Sequence, residues 1–359
     1  MWSWDNCFNC LALAQAYPDI AIDQMMIPFD WITPEGRLPD SMAHSEILYD
    51  YTKPPIYGWT TFKLLGFLAS GKQSNIFEAV STERLTELYD KISKNTMFWY
   101  NCRKAEGLRI PWYTHGNDSG WDNATCYDRQ TIAASPDLAA FLVVQNDFLA
   151  QTAHHLGDAK AEKDWKARRD DMVDALLELW DDENRVFQFQ DAYDLSKWST
   201  PTLLKYIPLV ASAHLPSQVV ESMTTGLRAH LTEWGLATED PKSKDYDPDG
   251  YWRGPIWAPP TILIESGLRV AGEVEFADEI SGRFQRLCEK SGFAENYNAI
   301  TGEGNRDLSY TWSASTYLVL RREQEEREAA KVLPRARVCG AFVTMDKIDG
   351  NIQTFPQPV

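Results

Sequence analysis

Two short segments far apart in the chain, SGWDNAT (119–125) and GFAENYNAITGEG (292–304), each set one carboxylate among aromatic and small residues. Those carboxylates belong to Asp122 and Glu295. Cleavage of a glycosidic bond needs such a pair: one carboxyl keeps its proton near neutral pH and gives it to the leaving oxygen, while the other stays ionised to activate water or attack carbon. Asp122 is flanked by Gly120, Trp121 and Asn123. A carboxyl beside an indole and partly removed from water has its charged form disfavoured, which suits a general acid. Glu295 precedes Asn296, Tyr297 and Asn298, whose side chains can hydrogen-bond an ionised carboxylate or sugar hydroxyls. Taken singly, each has a plainer reading: an Asp that caps a turn, and a Glu on a polar surface loop.

Two further segments carry groups that suit a sugar. YWRGPIW (251–257) sets Arg253 between Trp252 and Trp257, a planar donor fork that fits two hydroxyls or a carboxylate. WSWDNCF (2–8) sets Asp5 beside Trp4 at a helix entry, where it can grip paired hydroxyls or act as an N-cap. The stretch 28–53 adds Trp31, Arg37, Asp40 and His44, and His115 is the only histidine near a proposed catalytic residue in sequence. Serine-nucleophile, phosphate-loop, zinc-protease and dinucleotide motifs are missing from the sequence.

Apolar residues recur at helical spacing through most of the chain, and alternation with period two is scarce. The spacing predicts helices over about 4–16, 19–27, 54–71, 76–103, 136–157, 159–181, 201–213, 216–232, 255–271, 273–290 and 308–328. Pro18, Pro54, Pro136, Pro201, Pro216 and Pro255 mark starts, and Gly157 and Gly272 mark stops. Short turns therefore alternate with long connections at 28–53, 104–135, 182–200, 233–254 and 291–307, rich in Trp, Gly, Asp and Asn. That pattern is an all-α toroid of helical hairpins, the (α/α)6 barrel, with its long loops gathered on one face. A closed double ring needs an even number of helices, so eleven leave a first helix expected upstream of Met1. The toroid is assigned to 1–328; the remainder, 329–359, loses the helical period and reads as a C-terminal extension.

Composition narrows the class. The 14 Trp, 15 Tyr and 15 Phe exceed what a core needs, and aromatic faces in loops suit the apolar faces of sugars. A net charge of −17, with Lys and Arg dispersed, argues against nucleic acid and anionic membranes as partners. Six cysteines without a second CxxC or CxxH make neither a disulfide framework nor a zinc site, and the expectation is buried free thiols with no metal. Without an apolar run of transmembrane length or a signal peptide, the expected location is the cytoplasm. Oligomeric state is not legible.

In order along the chain, WSWDNCF, SGWDNAT, YWRGPIW, GFAENYNAITGEG and SYTWSASTYL (309–318) resemble glycoside hydrolase family 63 and its trehalase-like relatives in family 37, the (α/α)6 α-glucosidases. The resemblance implies an inverting hydrolase of an α-glucosidic or α-mannosidic bond that needs no cofactor. Asp122 stands at the general acid position and Glu295 at the general base position. It further implies that Trp4, Asp5, Trp121, Trp252 and Arg253 line the subsite for the non-reducing sugar, with Asn123 and Tyr297 in the same motifs. Trp257 and Trp312 are then cleft walls or core beneath them. The long N-terminal β-rich domain of the processing α-glucosidases is not present in this chain, and its size is nearest to the compact bacterial members that cleave sugar–glycerate conjugates. For an acidic aglycone, Arg37, His44 and Tyr251 are the candidates. Two rival readings stand beside this one: a carbohydrate-binding paralogue that has lost turnover, and a lyase or epimerase on the same fold. The latter usually place Tyr, His or Arg near an acidic sugar, and the histidines here do not cluster with the motifs.

Overall fold

Eleven helices arranged as a double ring account for the long-period pattern among the described residues, which are 1–69, 75–104 and 106–332 of this computed structural model. They are α1 (Asp5–Leu13), α2 (Pro18–Met26), α3 (Tyr57–Ala69), α4 (Thr82–Cys102), α5 (Pro136–His155), α6 (Ala159–Leu177), α7 (Leu203–His214), α8 (Ser217–Leu227), α9 (Ala258–Val270), α10 (Val274–Ser291) and α11 (Thr311–Val332). The boundary residues act as their chemistry requires. Pro18 and Pro136 open α2 and α5, where a missing N–H breaks no intrahelical bond. Ser81 and Asp158 cap α4 and α6 through the amides of Arg84 and Ala161. Gly157 and Gly272 follow α5 and α9 with φ of +80° and +85°, the left-handed stop that only glycine adopts without strain.

Six of the helices close an inner ring by contact, α1 to α3, α5, α7, α9, α11 and back to α1. The outer helices α2, α4, α6, α8 and α10 lean on that ring from outside. Burial follows position. In α5 and α9 nearly every residue is buried, as befits a helix walled on both sides, whereas α4 and α10 bury one stripe. Away from the loops, Lys63 of α3 reaches across to Glu323 of α11 at 2.7 Å in a partly buried ion pair, and Glu265 and Arg269 form a buried one within α9 at 2.5 Å.

Four details differ from the sequence-based expectation. The segment expected as an α-helix at 201–213 is a 3-10 run with Pro208 inside it and non-helical backbone at Ala211; proline supplies no N–H for the regular ladder and crowds the preceding turn. Strands also occur in the long connections, as a four-stranded antiparallel sheet of Trp112–Tyr113, Ala133–Ala134, Phe189–Asp191 and Lys197–Trp198. Helix α11 continues to Val332, past the boundary drawn at 328, and most of the extension assigned to 329–359 lies outside the described residues. Of the described cysteines, all are free, and Cys102 is exposed where a buried thiol was expected. No described helix is long and apolar enough to cross a membrane.

The connections from inner to outer helices are short at 14–17, 156–158, 215–216 and 271–273. Those returning from outer to inner are long, and they end at the N-termini of α3, α5, α7, α9 and α11, on the face of the ring where α1 also begins. Every motif singled out in the sequence lies there.

Candidate active site

Five indoles from four motifs form one buried platform beneath this face. Trp252 stacks on Trp257 at 4.0 Å and meets Trp121 at 4.8 Å. Trp312 packs edge-on to Trp257 at 5.4 Å and to Trp4 at 6.1 Å, so the platform joins the entries of α1, α9 and α11. All five are at most 4% exposed. Trp257 and Trp252, at 0% and 1%, are core. Gly120 lets Trp4 approach: its φ is +76°, and a Cβ there would stand 2.6 Å from the Trp4 ring.

Above the platform stand three carboxylates. Asp122 follows a short helical turn, Gly116–Ser119, and is half-buried. Burial raises its pKa, Asp40 adds to the rise, and Lys53 and His115 oppose it. Glu295, also half-buried, lies where the chain is pinned on both sides: its N–H donates to the Asp307 carbonyl at 2.7 Å, and its own carbonyl accepts from Trp312 Nε1 at 3.0 Å. Ser313 Oγ holds the preceding carbonyl, of Ala294, at 2.5 Å. Burial raises the Glu295 pKa as well, offset first by the Tyr251 hydroxyl, which donates to Oε1 at 3.2 Å, and then by the Asp307 backbone contact and Arg306. Asp5 is the first residue of α1, not its N-cap. Its carboxyl accepts from Tyr310 Oη at 3.2 Å and is pushed up to about 7 by burial.

These groups share one cleft. The Tyr251 phenol is raised by burial and then by the charges of Asp122, Glu295 and Asp5, and the Tyr310 phenol by burial, Asp5, Glu295 and Tyr251. Residues 5, 122, 251, 295 and 310 thus converge from the start of α1 and three separate connections. An acid with a raised pKa and a second carboxylate held by a donor are the parts that glycoside hydrolysis requires.

Several expected ligand contacts are engaged elsewhere. Arg253 donates from Nε to the Asn123 carbonyl at 2.8 Å and pairs with Asp128. Asn123 in turn donates to the Gly250 carbonyl and accepts from the Trp252 N–H, both at 3.0 Å. The two residues join the Asp122 loop to the Tyr251 loop, and the donor fork expected to meet a sugar engages protein through its Nε and Nη2. Tyr297 is fully buried, and its hydroxyl donates to the Gly292 carbonyl at 2.8 Å; it supports the Glu295 loop from beneath. Arg37 donates to Thr52 Oγ1 at 3.2 Å and to the Tyr49 carbonyl. Thr52 belongs to a buried cluster around Asp118, which accepts from the amides of Thr52 and Thr114 and from Arg103. Of the lesser candidates, Trp31 and His44 are exposed, Asp40 pairs with Lys53 at 3.3 Å, and His115 packs on Tyr51 at 5.1 Å beside Asp122.

Sequence reasoning missed Lys53 and Tyr310. Lys53 donates to the Asn117 carbonyl at 2.7 Å, and its charge acts on both Asp5 and Asp122; no motif surrounds it. Tyr310 stands two residues before Trp312 in a segment already singled out, so aromatic spacing could have flagged it. Among the described residues no group of three or more His, Cys, Asp or Glu could hold a metal.

Comparison with known proteins agrees with this architecture. A family model described as the mannosylglycerate hydrolase MGH1-like glycoside hydrolase domain matches residues 1–313. A mannosylglycerate hydrolase of Thermus thermophilus is 30% identical over 149 residues, which is 40% of this chain and 35% of that protein. A glucosylglycerate hydrolase of Mycolicibacterium hassiacum is 22% identical over 89% of this chain and 91% of its own length. Among solved structures, the family 63 mannosylglycerate hydrolase from another strain of Thermus thermophilus, in complex with glucose, superimposes with a TM-score of 0.79. It is 21% identical, and the match covers 90% of this chain and 93% of that one.

Proposed function

The chain belongs to the mannosylglycerate hydrolase MGH1-like glycoside hydrolases, and on that premise we propose that it hydrolyses an α-glucosidic or α-mannosidic bond with inversion at the anomeric carbon. Asp122 is the general acid and Glu295 the general base. The observation that carries this reading is that two half-buried carboxylates from separate loops converge on the Tyr251 phenol; burial raises the pKa of both, and the Tyr251 hydroxyl opposes the rise at Glu295 alone. In an inverting site the two carboxyls stand roughly 6.5–9.5 Å apart, leaving room for water between the base and the anomeric carbon. Asp122 then protonates the glycosidic oxygen while Glu295 takes a proton from that water. Asp5, at the N-terminus of α1 and at the edge of the indole platform, is suited to pair with hydroxyls of the non-reducing sugar.

The acid lies on the leaving-group side, so its neighbours define the aglycone. Lys53, which pairs with Asp40, and His115 are those neighbours. The Lys53 ammonium and the His115 ring can donate hydrogen bonds to a small acidic aglycone, and relatives of this chain are named as hydrolases of mannosylglycerate and glucosylglycerate. The reading therefore takes a sugar–glycerate conjugate as substrate. Release of sugar from mannosylglycerate and glucosylglycerate is expected to exceed release from the matching glycosylglycerols by about tenfold or more in kcat/KM, the scale of one charged hydrogen bond. Equal rates on the charged and uncharged pairs would exclude an acidic aglycone. Release from trehalose, kojibiose or nigerose alone would move the substrate class to disaccharides.

A further inference from the structure

We infer that Tyr251 is the positioning residue for the base, its hydroxyl holding one oxygen of Glu295 so that the other faces the water to be activated. The inference rests on the assignment of Glu295 as base. The Tyr251 hydroxyl lies 3.2 Å from Glu295 Oε1, and with Glu295 ionised the phenol must be the donor.

The backbone around this contact is built to aim it. Tyr251 has φ of +64°, a left-handed conformation that a bulky residue adopts only where its surroundings over-determine it. Those surroundings are specific. Its carbonyl accepts from Trp257 Nε1 at 2.9 Å, and its ring stands edge-on against Trp257 at 4.8 Å. The next amide, of Trp252, is held by Asn123. From the other side the Arg306 guanidinium lies 6.0 Å from the centre of the Tyr251 ring. Arg306 also has a left-handed backbone, φ +62°, and pairs with Asp249 at 2.9 Å. The loop that carries the phenol and the loop that carries the base are therefore tied twice, by Arg306 on Asp249 and by the paired backbone of Ile256 and Tyr297 at 2.7 and 3.0 Å. A residue needed only to fill space would not call for strained backbone on both loops.

Glu295 is faced by Tyr251, by Arg306 and Asp307 of its own loop, and by Tyr310 at the entry to α11. Tyr251 and Arg306 favour the ionised carboxylate and the Asp307 charge opposes it, while the Asp307 carbonyl holds the Glu295 backbone. Removing the hydroxyl takes away a donor to the charged form, so the Glu295 pKa rises. The rising limb of the pH profile of kcat/KM, which follows ionisation of the base, then moves to higher pH.

The test is Tyr251→Phe, which keeps the ring on Trp257, measured beside Glu295→Gln on the same substrate, with thermal unfolding to verify the fold. The expected result is a fall in kcat of about 10- to 100-fold, a change in KM within about threefold, and a rising limb displaced upward. A rising limb that stays where it was, with Glu295→Gln inactive, overturns the inference and leaves the base assignment standing. Near-normal turnover by Glu295→Gln overturns both. Should Tyr251→Phe not fold, incorporation of 3,5-difluorotyrosine at position 251 strengthens the donor and must move the rising limb downward; a limb that does not move overturns the inference in that case too.

Discussion

Asp122→Asn is expected to lower kcat on a sugar–glycerate substrate by about 10³-fold while sparing an α-glycosyl fluoride to within about tenfold. The contrast follows from what the acid does. A poor leaving group departs only if its oxygen is protonated as the bond breaks, whereas fluoride departs without that help. The pH dependence should change with it. Burial and Asp40 raise the Asp122 pKa against the opposing charges of Lys53 and His115, so the wild-type acid keeps its proton to higher pH than an ordinary aspartate. The falling limb of activity accordingly lies at higher pH than an unperturbed aspartate would set, and in Asp122→Asn that limb disappears. Steady-state rates on the two substrates across pH check all three expectations. Equal losses on both substrates would assign Asp122 to something other than protonation of the leaving group.

Glu295→Gln is expected to lower kcat by about 10³- to 10⁴-fold on both substrates alike. Water must be activated whichever group leaves, and a carboxamide cannot take its proton. The substitution is nearly isosteric, the backbone on both sides is pinned by Asp307, Trp312 and Ser313, and the Tyr251 hydroxyl can donate to the amide oxygen. Substrate affinity should therefore be close to that of the wild type, as titration under non-turnover conditions would measure. A variant slow on the glycerate conjugate and fast on the fluoride would reverse the two roles.

The ring was legible because its signals are local and repeated. Helical spacing found each of the eleven ring positions, and Pro18, Pro136, Gly157 and Gly272 set boundaries by their own backbone chemistry. What escaped was what depends on partners far along the chain. Strands of two or three residues, such as Ala133–Ala134, are too short to show a period of two and exist because Trp112–Tyr113 and Phe189–Asp191 lie on either side. The 3-10 geometry of α7 traces to Pro208, whose effect on a short helix is not decided by the hydrophobic pattern.

The site divides in the same way. Asp122, Glu295 and Asp5 stand in motifs dense enough to be found, and the fold brings them to one cleft. Arg253 is a planar donor fork by its chemistry, but its partners are the Asn123 carbonyl and Asp128, on a loop over a hundred positions away. Tyr297 and Tyr251 are both tyrosines in loop motifs, yet one is buried with its hydroxyl on the Gly292 carbonyl and the other donates to Glu295. The difference lies in the left-handed backbone at Tyr251, which composition does not announce. Lys53 belongs to no motif, since its position beside Asp122 depends on Asn117 and Asp40.

The central claim, hydrolysis with a single displacement by water, is tested most directly by proton NMR of the sugar as it is first released from an α-linked substrate by the wild-type protein. The anomeric signal should appear first as the β-anomer, with the α-anomer growing in later at the rate of spontaneous mutarotation. Initial release of the α-anomer would mean two displacements and a covalent intermediate, and would contradict the assignment of Glu295 as a base acting through water.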